Sequence, residues 1–154
     1  MTGSSVVLLP YAAASVADAR WRLTADLCKA GISAAAVRDA VLVMSELLSN
    51  AIRHARPLPG SLVEVTWALD SGLVEISVSD GGSATSPRAA RPSLSSLGGR
   101  GLAIIDHLCY RWGVSGDDAR TTVWAVLPAP RRGAATGGTG GQHGGAALTG
   151  QARS

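Results

Sequence analysis

A chain of 154 residues is room for one ordinary domain. Its formal charge of +3 reflects fourteen basic and eleven acidic residues, but Arg131, Arg132 and Arg153 fall after Pro128, which leaves residues 1–128 balanced at eleven each and argues against direct binding of a nucleic-acid backbone. The longest apolar run, residues 6–14, is far below the roughly 20 residues of a membrane span and Pro10 interrupts it, so no membrane helix is expected.

Before its apolar segment a secretion signal needs basic residues, and the first here is Arg20. Cys28 and Cys109 stand far apart with no CxxC, which fits two reduced thiols. The expected location is cytoplasmic. From 129 to 154 the chain is glycine, alanine and small polar residues, too poor in apolar groups to offset chain entropy, and reads as a disordered tail.

Residues 5–9 predict a short strand closed by Pro10. Ser15 then stands where a helix N-cap belongs, before a helix that stops at Gly31. Along it Val16, Ala19, Leu23, Leu27 and Ala30 form one core-facing stripe, and Trp21 falls roughly opposite. That tryptophan either packs under a neighbouring segment or marks a surface for self-association or a partner. Ser33 opens a longer helix in which Val37, Val41, Met44, Leu48 and Ile52 recur at helical spacing until Arg56-Pro57.

Two strands follow, near 62–69 and 73–80, joined by an Asp70-Ser71-Gly72 turn. Between Asp80 and Gly98 small and turn-forming residues predict a lid-like loop. A short helix at about 101–109 and strands near 111–116 and 120–128 complete the chain. Helices clustered rather than alternating with strands predict an α+β fold, a two-layer sandwich of one mixed β-sheet and one helical layer.

Four segments carry candidate chemistry. On the second helix Glu46, Asn50 and His54 follow at i, i+4 and i+8, a polar stripe on a very apolar helix, which is either a solvated edge or one wall of a site. In VEISVSD the period of two puts Asp80 on the same face as Val74, Ile76 and Val78. An ionised carboxylate there is costly without a partner, so Asp80 either caps the Gly81-Gly82 turn or accepts from a bound group such as an adenine amine. Gly98-Gly99-Arg100-Gly101 precedes a helical segment, where bare backbone and a helix N-terminus suit phosphate. Thr121 shares a face with Val123, Ala125 and Leu127, as a plain strand threonine or as a second polar group near Asp80.

In order, ELLSNAIRHA, SDGG, GGRGLAII and TTVWAVLP resemble the N, G1, G2 and G3 boxes of the histidine-kinase-like (Bergerat) ATPases, and their compact spacing is similar to that of anti-sigma-factor serine kinases. The resemblance covers about 10–128 and implies a histidine-kinase-like ATP-binding domain over 1–128. It implies ATP and Mg²⁺ as cofactors. It further implies Asn50 as an oxygen ligand of the metal, Glu46 as the general base, Asp80 as the reader of adenine, Gly82 as a close approach to the base, and Gly99, Arg100 and Gly101 on the phosphates, with Thr121 completing the site.

Implied partners are a sigma factor and a small antagonist protein that accepts phosphate; a homodimer is one reading of Trp21 and does not come from the resemblance. Two positions depart from the family pattern: Ala84 stands where G1 ends in glycine, and Arg120 replaces the glycine before the G3 threonine. The alternative is a non-catalytic module that uses nucleotide to order its binding surface. An intact Glu46 favours the kinase.

Overall fold

The computed structural model describes residues 3–82 and 99–133, with the backbone alone for 99–102. The predicted lid falls on 83–98, with Ala84 and Gly98, outside the described residues, as does the chain after Gly133. The order is β1 (Gly3–Pro10), α1 (Ala14–Lys29), α2 (Ala34–His54), β2 (Leu62–Asp70), β3 (Leu73–Asp80), α3 (Gly99–Leu108), β4 (Arg111–Gly116) and β5 (Thr121–Pro128). The five strands form one sheet in the order β1-β2-β3-β5-β4.

The α+β sandwich is as the pattern of elements predicts, but the sheet is wholly antiparallel, not mixed. The reason lies in the connections. Between β1 and β2 the chain runs through two helices, up and back, and so returns to the sheet in the opposite sense. β3 and β4 do run the same way across the α3 crossover, yet β5 inserts between them and they never pair.

Apolar burial follows the two periodicities. Ala19, Leu23 and Leu27 of α1 are fully buried, as are Met44 and Leu48 of α2, against Val63, Val65, Val74, Ile76 and Ala125 from the inner face of the sheet. The buried stripe of α2 is wider than that of α1 because α2 also packs against α1 and α3. At its start Ser33 is the predicted cap, its hydroxyl accepting from the Ala36 N–H at 3.2 Å. Ser15 is not a cap. α1 begins earlier, with Ala13 at the cap position, and the Ser15 hydroxyl donates back to the Pro10 carbonyl at 2.6 Å, tying the helix to the end of β1.

Asp70 pairs with Leu73, so the β2–β3 hairpin has the two-residue loop Ser71-Gly72, with φ of 52° and 81°. Positive φ at both loop positions is the turn whose twist suits a tight antiparallel pair, which explains the glycine.

The folded part extends beyond the expected boundary at 128. Ala129 is buried and its N–H donates to the Gly72 carbonyl at 2.8 Å; the Pro130 carbonyl accepts from the Ser33 N–H at 2.8 Å. Arg131 bridges to Ile32, and its guanidinium donates to the Ala30 carbonyl at 2.6 Å, while the Arg132 N–H donates to the Gly31 carbonyl at 2.7 Å. These two arginines satisfy carbonyls at the C-terminal end of α1, where positive charge is favoured. Low apolar content concealed this because the attachment is made mainly through hydrogen bonds to backbone groups. It also adds two positive charges to the part of the chain expected to be neutral.

Candidate functional site

The end of β3, the last turns of α2 and the β4–β5 loop converge. Asp80 ends the buried face of β3 at 5% exposure, in line with Val74, Ile76 and Val78. Its carboxylate accepts from the Gly82 N–H at 2.8 Å, so the turn-capping reading is realised. Burial pushes the carboxyl up to about 6, partly opposed by the Gly82 N–H and the positive Arg120 nearby.

Thr121 is the cross-strand partner of Asp80, half-buried on the same inner face, so the two expected polar neighbours do meet. On the opposite face the hydroxyls of Ser79 and Thr122 bond at 2.7 Å. Arg120, just before Thr121, pairs with Glu64 at 2.9 Å.

Behind Asp80 the backbone doubles on the end of α2. The Gly81 N–H donates to the Arg56 carbonyl at 2.7 Å and the Arg56 N–H to the Gly82 carbonyl at 2.8 Å. Side chains are excluded here by the chain itself: a β-carbon on Gly81 would lie 2.1 Å from the Pro57 carbonyl oxygen, and one on Gly82, where φ is 97°, 2.5 Å from the Asp118 carbonyl oxygen. Gly82 thus has a packing reason to be glycine, independent of any ligand.

On α2, Glu46 and Asn50 are half-buried, whereas Arg53 and His54 are exposed in the last turn. The solvated-edge reading therefore holds for His54 and fails for Asn50, whose Oδ1 is buried without a hydrogen-bond partner among the described residues. A carbonyl-type oxygen in that condition is expensive to leave unmet. It is also the donor type a hard cation takes. No cluster of three or more His, Cys, Asp or Glu side chains that would hold a metal occurs among the described residues. Any cation at Asn50 would thus take most of its shell from a ligand and water.

α3 begins at Gly99, so Gly99, Arg100 and Gly101 form its first turn instead of a loop ahead of it. The first N–H groups of a helix have no intrahelical acceptor, so the anion-binding potential survives this change. α3 packs against α2, which brings that turn to the same side of the sheet as Asn50.

Tyr11 was not legible as part of this region. Its hydroxyl donates to the carbonyls of Ala51 and Ala55 at the end of α2. Burial, and then the negative charge of Asp80, raise its pKa. A lone tyrosine after a strand-ending proline carries no sequence signal, because its partners are backbone groups 40 and 44 residues away.

The sequence model of the histidine kinase-like ATPase domain matches residues 9–127. Among solved structures the chain is similar to the RsbU and RsbW domains of Rv1364c from Mycobacterium tuberculosis, at 22% identity and a TM-score of 0.65. The likeness covers 82% of this chain and 32% of that one, so this chain spans about a third of its length. No curated protein matches the chain. No helix among the described residues is long and apolar enough to cross a membrane.

Proposed function

The chain belongs to the histidine kinase-like ATPase domain family, and from this premise we propose that it is an ATP-binding protein serine kinase acting as an anti-sigma regulatory factor, with a small antagonist protein as phosphate acceptor. The observation that carries the reading is the buried Oδ1 of Asn50, without a hydrogen-bond partner among the described residues and one helical turn from the half-buried Glu46. An oxygen left unmet inside a helix-and-sheet corner is what a Mg²⁺-nucleotide would satisfy. The similarity to the RsbW-containing structure supports the regulatory class.

In this reading Asp80 accepts from the adenine amino group, with Thr121 beside it, and the backbone at Gly82 lies against the base. The N–H groups of Gly99, Arg100 and Gly101 hold phosphate oxygens at the start of α3. Asn50 is the protein's ligand to Mg²⁺, which when bound supplies positive charge to the phosphates. The Glu46 carboxylate receives the proton of the attacking serine hydroxyl. A sigma factor and a second copy of the chain are the further partners of such a factor, in a cytoplasmic setting.

The alternative, a nucleotide-ordered binding module without transfer, draws on Arg120, which stands at a glycine position of the family and is engaged with Glu64. Incubation with labelled ATP, Mg²⁺ and candidate antagonist proteins encoded nearby, read for phosphoserine, separates the two. Phosphoserine on one antagonist is the expected result. Nucleotide binding with no phosphoserine on any of them would leave the module.

A further inference from the structure

Among the described residues β1 is an edge strand, paired on one side by β2 and by no strand on the other. The Tyr11 N–H donates to the Ser61 carbonyl at 2.9 Å, continuing the register beyond Pro10 and Leu62. Because bonded pairs alternate along an antiparallel ladder, Ser5, Val7 and Leu9 direct their backbone groups to β2. Ser4, Val6 and Leu8 direct theirs outward. Pro10 belongs to the outward series, where its missing N–H costs β2 nothing, and its carbonyl is already taken by Ser15 and Ala12. Edge strands are commonly guarded by charge. This one has none between Gly3 and Pro10, and Val6 and Leu8 are 65% and 56% exposed.

Beside that edge lies an open groove of about 400 Å³ between β1 and α1, lined by Ser5, Val7, Trp21, Ala25, Asp26 and Trp67, among others. Trp21 is 72% exposed, so it does not pack under the strand. The Asp26 Oδ2 is fixed by two neutral donors, the Ser5 hydroxyl and the Trp67 indole N–H, each at 2.9 Å. The neighbouring Arg22 is turned to Asp18 at 3.0 Å. The groove therefore holds a positioned carboxylate that no cation meets among the described residues, next to an exposed indole able to receive one on its face.

We propose that the free edge of β1 and the Trp21–Asp26 groove bind an extended, basic peptide segment of a partner protein, which adds a sixth strand and sets a lysine or arginine against Asp26 and Trp21. Charge chooses the occupant. A second copy pairing through its own β1 would add a strand that carries no basic residue, since Gly3–Pro10 contains none. Main-chain bonds would supply affinity and the groove the choice of side chain. The surface stands independently of the nucleotide reading.

The probe is a labelled heptapeptide of alternating threonine and valine with a central arginine, titrated into the full chain and followed by fluorescence anisotropy. Matched peptides carry glutamate at the centre or N-methyl groups on alternate backbone nitrogens. Binding of the arginine peptide is expected, with a loss of about tenfold or more for both matched peptides. Val6→Pro, which removes one outward N–H, should weaken binding by about tenfold, and Asp26→Asn, which keeps an acceptor for Ser5 and Trp67, by roughly three- to tenfold. The melting temperature checks that both variants fold, and the N-methylated peptide tests the edge on the unaltered chain. Equal binding of the glutamate or N-methylated peptide, or no binding of the arginine peptide at millimolar concentration, overturns the proposal. So does a dimer that Val6→Pro dissociates, which would assign the edge to a second copy.

Discussion

Asp80 and Thr121 face each other at the last rung of the β3–β5 pairing, on the face of the sheet whose other buried strand residues are apolar. A carboxylate held there with one N–H donor is a destabilised ion. Its pKa of about 6, against an ordinary value of 3.8, gives the sign. Between those values the folded chain binds more protons than the unfolded one, so this group makes stability fall as pH rises from about 4 to about 6, and flat above. Asp80→Asn should remove that slope and raise stability near pH 7.5 by on the order of 1–3 kcal/mol, while abolishing adenine-nucleotide binding. Thermal melts of both proteins at pH 4.5 and 7.5 check this. A variant less stable at the higher pH would mean that Asp80 is matched by its surroundings.

Asn50→Ala removes an oxygen that nothing in the described chain satisfies. The fold should lose little, within about 1 kcal/mol, because no internal hydrogen bond is broken. Mg²⁺-dependent ATP binding should disappear. Calorimetry with and without Mg²⁺ reads the binding, and unchanged affinity would remove Asn50 from the metal site.

Glu46→Gln is the complementary case, keeping size and hydrogen-bonding capacity but not basicity. Nucleotide affinity should hold while phosphate transfer falls by roughly 10²–10⁴, the scale for loss of a general base. Single-turnover transfer to an antagonist is the measurement, and full-rate transfer would place the base elsewhere.

Features set by periodicity were legible in the sequence. The stripes of α1 and α2, the inward face of β3 through Asp80, the Thr121 face of β5 and the Ser33 cap depend on residues within one or two turns of each other. Features set by backbone groups distant in sequence were hidden. Tyr11 on the end of α2, the Asp118 carbonyl that blocks a side chain at Gly82 and the Arg131–Ala30 bond all involve carbonyl oxygens, which every residue has and no motif marks. The start of α3 was misplaced because Gly99 and Gly101 are poor helix formers by propensity, yet sit in a first turn where that penalty is small. The sheet's uniform antiparallel order was hidden because strand sequences do not record which neighbour they pair with.

The same distinction governs the C-terminal boundary. Composition places the end of the domain at Pro128, and a cut there would be harmless if only apolar burial mattered. The described chain instead makes backbone bonds from Ala129, Pro130 and Arg132 to Gly72, Ser33 and Gly31, with the Arg131 guanidinium on Ala30 and Ala129 itself buried. At roughly 0.5–1.5 kcal/mol for each hydrogen bond, four such bonds amount to about 2–6 kcal/mol. For a domain of this size, at about 4 °C per kcal/mol, that corresponds to a fall of roughly 8–24 °C in melting temperature. Truncation after Pro128 should therefore destabilise the protein by that much, whereas truncation after Gly133, which spares every one of these contacts, should leave the melting temperature within about 2 °C. Differential scanning calorimetry on the two truncations and the full chain decides it. Equal melting temperatures for both cuts would mean that the attachment at the α1–α2 corner contributes nothing net, and an equal fall for both would move the stabilising segment beyond Gly133.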